Sequence, residues 1–587
     1  LVDFGLAFLD EGQGEADEQK AAGTPRYMAP EQLLSHWRDF GPWTDLYALG
    51  CLGWQLSTGT TPFQSMREFR QLLRAHLHLA PPPFKPIYKV PDEFETWLRT
   101  LLAKRRTDRF PMAADALNAL PPIESTDTLN YTADLGQSDS TEVLDMTVPD
   151  LPSAATLNLK TVKTLIDDAT APSLEVKDVT LPQIEVQSMG LTNLDQTIPE
   201  MPEQWLREGD DDARLQMLGV GLGLFGLRHT HMIGRQDERS RLWQALKETR
   251  KLAKPKIVVL SGGPGSGKSR LADWLVNRSH ETGAAIPLRC NHEPQGNSKS
   301  GLPGMLNRYL HTAGLSREEL EDRVSKQLQR QGIEDGFELR SLCDFLHGEN
   351  ESSLTDFSVS IKFQSPDERM ALLRRFLRRT SAKRPVVLWM DDIQWGDEAL
   401  LLAKRLQAVA EDEHLPVLVV MTLRDDLIED RPFEHQLYLE LDHRALIKIP
   451  VKPLPEIDQV ALVEDMLGLE PKLARKVVSR SQGNPLFAIQ LVGDWVHRGV
   501  LEIGKTGFAL KAGAKAVIPS SIAQVWNERI DALLREMPTD SEQMLELGAT
   551  LGVEVDREEW AAVCTAEGIE LDSHLIEGLL RRRLAEA

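Results

Sequence analysis

Cysteine is scarce in this chain: 587 residues contain four, Cys51, Cys290, Cys343 and Cys564, far apart and with no C-x-x-C pair. That spacing excludes a disulfide framework and a cysteine-based zinc site, and it fits a reducing compartment. Also missing is an apolar run long enough to cross a bilayer. The longest candidate near a linker, 215–227, is Gly-rich and too short. No secretory signal pattern follows Leu1, so a cytoplasmic protein without a membrane partner is expected. Positive charge is in deficit, 67 basic residues against 89 acidic for a net charge of −22. The deficit is local: between Glu124 and Asp212 there are 19 acidic residues and four basic ones. Such a balance argues against a surface that grips nucleic acid. What is present, 41% hydrophobic residues over this length, supports about three or four ordinary domains.

The most informative stretch is Lys256 to Asp273, KIVVLSGGPGSGKSRLAD. Ile257 to Leu260 is a short apolar run suited to a buried parallel strand. Gly262-Gly263-Pro264-Gly265-Ser266-Gly267-Lys268-Ser269 then fits G-x-x-x-x-G-K-[ST] without a gap, and Arg270 to Asn277 can continue as a helix. Glycines let backbone N–H groups curl around a phosphate, and the helix N-terminus adds partial positive charge. In this motif Lys268 reaches the β- and γ-phosphates and the Ser269 hydroxyl sits on Mg²⁺. ATP and Mg²⁺ are therefore the expected cofactors.

A P-loop needs an acidic strand end beside its own strand, because Mg²⁺ takes a carboxylate oxygen as well as the hydroxyl. Val386-Val-Leu-Trp-Met390-Asp391-Asp392 supplies it. Asp391 is the metal candidate, and Asp392 could polarise the attacking water. A third strand, 416–422, ends at Leu423-Arg424. Arg424 could sense the γ-phosphate; a surface salt bridge is the other reading. With Ile233-Gly234-Arg235-Gln-Asp-Glu238, the D-D-x-x-W strand ending at Trp395, and Gly483-Asn484-Pro485-Leu486-Phe487, residues 229–587 resemble the signal-transduction ATPases with numerous domains, the STAND class of P-loop proteins. The resemblance implies that Pro485, on a helical lid, lies near the nucleotide. It also implies that nucleotide state switches assembly, with a nucleotide-dependent homo-oligomer as partner, and that hydrolysis is slow.

At the N-terminus stand Asp3-Phe-Gly5, Gly23-Thr24-Pro-Arg-Tyr-Met-Ala-Pro30-Glu31, Asp45-Leu-Tyr-Ala-Leu-Gly50 and Asp108-Arg109-Phe110. In this order they resemble the C-terminal lobe of a eukaryotic-like Ser/Thr protein kinase, with D-F-G and A-P-E among its signatures. The resemblance implies that Asp3 holds Mg²⁺ in catalysis and that Thr24 sits beside the acceptor hydroxyl. Glu31 would pair with a buried Arg109, and Asp45 would brace the catalytic loop. Protein substrates with Ser/Thr acceptors would be the partners. The Gly-rich loop, strand lysine, helix-C glutamate and H-R-D loop of that family are not in the sequence, so a fragment inactive as a kinase is expected. Between Gly5 and Thr24 there is no Ser, Thr or Tyr; the loop is either merely solvated or controlled from elsewhere in the chain.

After Pro122 hydrophobic periodicity is lost and disorder is expected. Three frames fit D-x-T-aliphatic-P, at Asp145-Met-Thr147-Val-Pro149, Asp178-Val-Thr180-Leu-Pro182 and Asp195-Gln-Thr197-Ile-Pro199. They read either as low-complexity drift or as sites of self-phosphorylation at Thr147, Thr180 and Thr197, tethered beside the kinase. Near the C-terminus Ser520 or Ser521 could cap a helix, with further helices over 545–551 and 558–566. The expected architecture is multidomain. A mostly α kinase C-lobe occupies 1–120 and a disordered acidic linker 121–228. An α/β P-loop NTPase with a parallel sheet occupies 229–440, an α-helical lid 441–500, and a partial winged-helix or helical region 501–587. The function expected is a signalling Ser/Thr kinase coupled to an ATP-binding switch. The rivals are a nucleotide-dependent scaffold and a transcription regulator, the latter needing a DNA-binding domain beyond Ala587.

Overall fold

The structure, a computed structural model, describes residues 24–122, 198–206 and 232–585, apart from 67, 295–299, 348–365, 411, 505–506, 512, 514–521, 553–554 and 583. Asp3 with its D-F-G, the loop after Gly5, Thr147, Thr180, Thr197, the run 215–227, and Ser520 and Ser521 lie outside the described residues. The chain divides into two compact units, Leu1–Glu200 and Met201–Ala587.

In the first unit the described residues are helical: Pro30–Leu33, Pro42–Thr58, Phe69–His78, Phe94–Leu101 and Ala113–Asn118. Tyr47, Cys51 and Trp54 on the long helix pack against Leu98, Leu101, Leu102 and Phe110. Gly50 permits this close crossing, since a Cβ there would lie 2.8 Å from the Leu101 Cβ.

The second unit is built on a five-stranded parallel sheet: β1 (Lys256–Ser261), β2 (Ile286–Asn291), β3 (Val386–Asp391), β4 (Val417–Leu423) and β5 (Leu446–Pro450), in the order β2-β3-β4-β1-β5. Alternate side chains of a strand face opposite ways, and each face is covered. Ile257 and Val259 of β1 pack into the core under helices Gly301–Leu310, Pro366–Thr380 and Asp397–Ala408. Val258 and Leu260 face helices Gln236–Leu252 and Lys268–Glu281 on the other side. The burial of β1 and β4 explains why they read as unbroken apolar runs rather than alternating ones.

Three expectations are corrected here. β4 lies between β1 and β3, so the acidic strand is not beside the P-loop strand. Residues 446–450, expected within the helical lid, form the edge strand β5; pairing with β1 outweighs the helical pattern around them. The acidic stretch 121–228 is not linker throughout, because Met201–Leu206 packs on the ATPase unit through Met201 and Trp205. The lid comprises helices Glu456–Ala461, Pro471–Ser481 and Pro485–His497, with a hairpin of Leu501–Ile503 and Phe508–Leu510 on the same core. Four helices follow, over Ile522–Leu534, Ser541–Thr550, Arg557–Ala566 and Ser573–Arg581, around Trp560 and Cys564.

Candidate functional site

β1 delivers the chain at the C-terminal edge of the sheet, where it turns through Gly262 to Gly267 into helix Lys268–Glu281. Gly262, Gly265 and Gly267 have φ of 151°, 72° and 97°. At Gly265 the left-handed backbone disfavours any side chain, and a Cβ would lie 2.7 Å from Asn484 Oδ1. Gly263 lies in the same turn, where a Cβ would meet nothing within 4 Å.

Lys268 is buried, and its Nζ donates to the Gly262 and Gly263 carbonyls, each at 2.9 Å. Burial holds its ammonium below the ordinary lysine range, while Asp392 and Asp391 work against that depression. The next residue reaches across the sheet: Ser269 Oγ donates to Asp391 Oδ1 at 2.9 Å. The same oxygen accepts from Thr422 Oγ1 on the intervening β4 and from Trp389 Nε1 at 3.3 Å. Burial holds the Asp391 carboxyl above the ordinary carboxylate range, and the bonds from Thr422, Ser269 and Trp389 offset only part of that rise.

Asp392 follows in a left-handed conformation, φ 52°, held there by its N–H donating to Thr422 Oγ1 at 2.8 Å. Its Oδ1 accepts from Gln394 Nε2 at 2.9 Å, and Gln394 Oε1 accepts from the Arg424 N–H at 3.2 Å. Gln394 is fully buried and joins the two residues read as water-polarising and γ-phosphate-sensing. The Arg424 guanidinium pairs with Asp426 at 2.8 Å, so the salt bridge is formed, at the end of the strand beside β1.

Behind the site, His292 Nδ1 donates to the Asp391 carbonyl at 2.7 Å, and His292 Nε2 lies 3.4 Å from Cys290 Sγ. Burial lowers the His292 pKa and raises that of the Cys290 thiol. The neutral imidazole therefore accepts from a protonated thiol and braces the end of β3. Arg235 of the G-R-x-x-E box donates to the Ser266 carbonyl at 3.0 Å and pairs with Glu238 at 3.0 Å. From the lid, Asn484 Nδ2 donates to the Pro264 carbonyl at 3.1 Å, while its Oδ1 caps helix Pro485–His497. The lid residue bonded to the P-loop is thus Asn484; Pro485 is the first residue of the helix it caps. Thr422, Gln394 and His292 carried no motif signal. Arg235 and Asn484 stand inside recognisable motifs, but the motifs do not specify the contact that each makes.

In the first unit, Glu31 and Arg109 form a buried two-pronged pair at 2.7 and 3.0 Å. Arg109 donates further to the Ala103, Trp43 and Lys104 carbonyls, and Thr44 Oγ1 donates to Glu31 at 2.8 Å. Thr24 and Asp45 are both exposed.

A parallel sheet with a glycine turn, a buried lysine and a serine–aspartate pair across its C-terminal edge defines the second unit as a P-loop NTPase fold. Comparison with known proteins finds a match in each unit: residues 1–119 match the protein kinase domain, and residues 231–420 match the AAA ATPase domain. This chain is 31% identical over 149 residues to serine/threonine-protein kinase A of Synechocystis, covering 24% of this chain and 28% of that one. It is 38% identical over 121 residues to serine/threonine-protein kinase Pkn1 of Myxococcus xanthus, covering 20% and 17%. The chain thus spans under a third of these kinases' length. The Aeropyrum pernix Orc1 protein in complex with DNA aligns with 62% of this chain and 88% of its own, at 15% identity and a TM-score of 0.32, a likeness too low to bear on function. The chain therefore joins a Ser/Thr-kinase-like region to an AAA ATPase domain, and both imply use of a nucleotide. Among the described residues no helix is long and apolar enough to cross a membrane.

Proposed function

We propose that the second unit binds ATP with Mg²⁺ and acts as a STAND-type switch coupled to Ser/Thr phosphoryl transfer in the intact protein. The observation that carries this reading is the Ser269–Asp391 pair beside a buried Lys268 on a glycine turn. Mg²⁺ takes one or two protein oxygens and completes its shell with phosphates and water. Ser269 and Asp391 fit that demand, and the bound cation would neutralise charge on the phosphates. Lys268 would exchange its two carbonyl partners for phosphate oxygens. Asp392, positioned by Thr422 and Gln394, would accept a proton from water, and Arg424 would leave Asp426 to report the terminal phosphate. Asn484 and Arg235 tie the P-loop to the lid and to the G-R-x-x-E box, which gives nucleotide state a route to homo-oligomer assembly.

For the kinase region the proposed chemistry is phosphoryl transfer to Ser/Thr hydroxyls of protein substrates and to Thr147, Thr180 and Thr197 of the chain itself. Phosphate transfer by the 587-residue chain itself would refute the assignment of catalysis to the intact protein alone. Calorimetric titration with ATP, with and without Mg²⁺, tests the switch site. Asp391→Asn is expected to abolish the gain in affinity that Mg²⁺ gives the unaltered chain. An undiminished gain would sink the metal assignment.

A further inference from the structure

The segment Met201–Leu206 reads as linker by composition, yet it is seated in a groove between helices Gln236–Leu252 and Lys268–Glu281. The Pro202 carbonyl accepts from Trp243 Nε1 at 3.0 Å, and Glu203 pairs with Lys247. Trp205 is the anchor. Its ring meets Trp274 edge-on with centroids 5.4 Å apart, and the Arg239 guanidinium lies 3.8 Å from its centroid. Its Nε1 donates to Ser240 Oγ at 3.1 Å, and its carbonyl accepts from Arg278 Nε at 2.8 Å. An aromatic held by a second ring, a cation and hydrogen bonds from both main and side chain is the arrangement of a binding hot spot. Trp274 and Arg278 belong to the helix that begins with Lys268 and Ser269, so whatever fills the groove touches the P-loop helix.

The segment also has a place in the repeat. Met201-Pro202 closes the frame Leu194-Asp-Gln-Thr-Ile-Pro-Glu-Met-Pro202, the counterpart of Leu144-Asp-Met-Thr-Val-Pro-Asp-Leu-Pro152. After Pro152, however, Ser153 and Ala155 stand where Glu203 and Trp205 follow Pro202. The first frame thus keeps the apolar-proline tail and lacks both anchors.

We propose that this groove is a peptide-binding site of the ATPase unit. Its resident ligand is the acidic, tryptophan-bearing tail of the third repeat, and the tail acts as a releasable latch between the acidic segment and the P-loop helix. The latch needs no nucleotide, so it stands or falls apart from the proposed ATP site. A resident ligand tethered in the same chain competes at an effective concentration on the order of millimolar, so the groove opens to an added peptide only when the resident anchor is removed.

The test is fluorescence anisotropy of a labelled peptide of residues 199–208 against the full 587-residue chain, unaltered and as Trp205→Ala. The expected result is saturable binding to Trp205→Ala that is roughly tenfold or more tighter than to the unaltered chain. Two peptides should bind Trp205→Ala at least about tenfold more weakly: one carrying Trp205→Ala itself, and one of residues 149–158, which lacks the aromatic. Lys247→Glu in the Trp205→Ala chain should weaken binding about threefold, and a Glu203→Lys peptide should restore it. Equal binding to the two chains, or indifference to the tryptophan in the peptide, would overturn the proposal. So would a concentration-dependent dimer of the unaltered chain that Trp205→Ala abolishes, since the groove's occupant would then be a second copy's tail.

Discussion

In the kinase region, Glu31 and Arg109 form a closed pair whose remaining hydrogen-bonding capacity is met by neighbouring groups. The guanidinium spends its donors on two carboxylate oxygens and three carbonyls, and Thr44 takes a further lone pair of the glutamate. In the ATPase unit, Lys268 is almost as buried, yet it leans on two carbonyls of its own loop, and Asp391 is bonded to hydroxyls and an indole rather than to a cation. Breaking a closed ion pair strands a charge in the interior, which marks a structural pair. A cation and a carboxylate kept near each other but partnered by neutral groups can exchange those partners for a ligand. The difference separates an ion pair that holds a fold from polar groups that a phosphate and a metal can recruit.

Arg109→Met leaves Glu31 buried without its partner and is expected to cost the kinase region about 3–5 kcal/mol. Hydrogen exchange of peptides from 42–58 would read that loss, with ATP binding unchanged; unaltered exchange would mean that the pair is not structural. Gln394→Leu strands the Asp392 carboxylate and the Arg424 N–H, for about 1–3 kcal/mol within the ATPase unit. That loss should appear as faster exchange in peptides covering 417–424, and no change there would remove Gln394 as the bridge.

A smaller, graded effect comes from the interior of the kinase region. Lys104 donates to the Ala75 carbonyl at 3.1 Å and to Tyr47 Oη at 3.4 Å, and Tyr47 Oη lies 2.9 Å from His76 Nδ1. Burial lowers Lys104 to about 7 from an ordinary 10.5. Between these values the unfolded chain binds a proton that the folded one refuses, so stability rises with pH above about 7, by at most about 1.4 kcal/mol per unit. Cys51 opposes the rise above pH 9, because burial moves its thiol from 9.0 to about 12. His76, lowered to about 3 by burial, adds a separate loss as pH falls below 6.5. Exchange of peptides from 69–78 at pH 7 and 9 should show the rise, and Lys104→Met should flatten it. A rise of equal size in Lys104→Met would exclude Lys104 as its source.

How much of this was legible in the sequence depends on whether chemistry or packing set the residue. The P-loop and the paired aspartates could be read because phosphate and metal chemistry dictate both residue type and spacing. That β4 would intervene between them could not, since a motif names the strands that carry ligands and is silent about their order. Thr422 looked like one more β-branched residue in an apolar strand, although its hydroxyl is the link between Asp391 and the Asp392 backbone. Trp205 was the visible anomaly in an acidic, proline-containing stretch, and composition averaged it away. Ion-pair partners 78 residues apart, Glu31 and Arg109, were legible only through resemblance.

The nucleotide site proposed for the glycine turn, Lys268, Ser269 and Asp391 is put to the test by the calorimetric affinity for MgATP of the unaltered chain against Lys268→Ala. The expected outcome is a loss of roughly tenfold or more, the cost of removing a charge-assisted contact of about 1.5–3 kcal/mol, with unchanged hydrogen exchange in the sheet strands. Equal affinity in the two proteins would rule the site out.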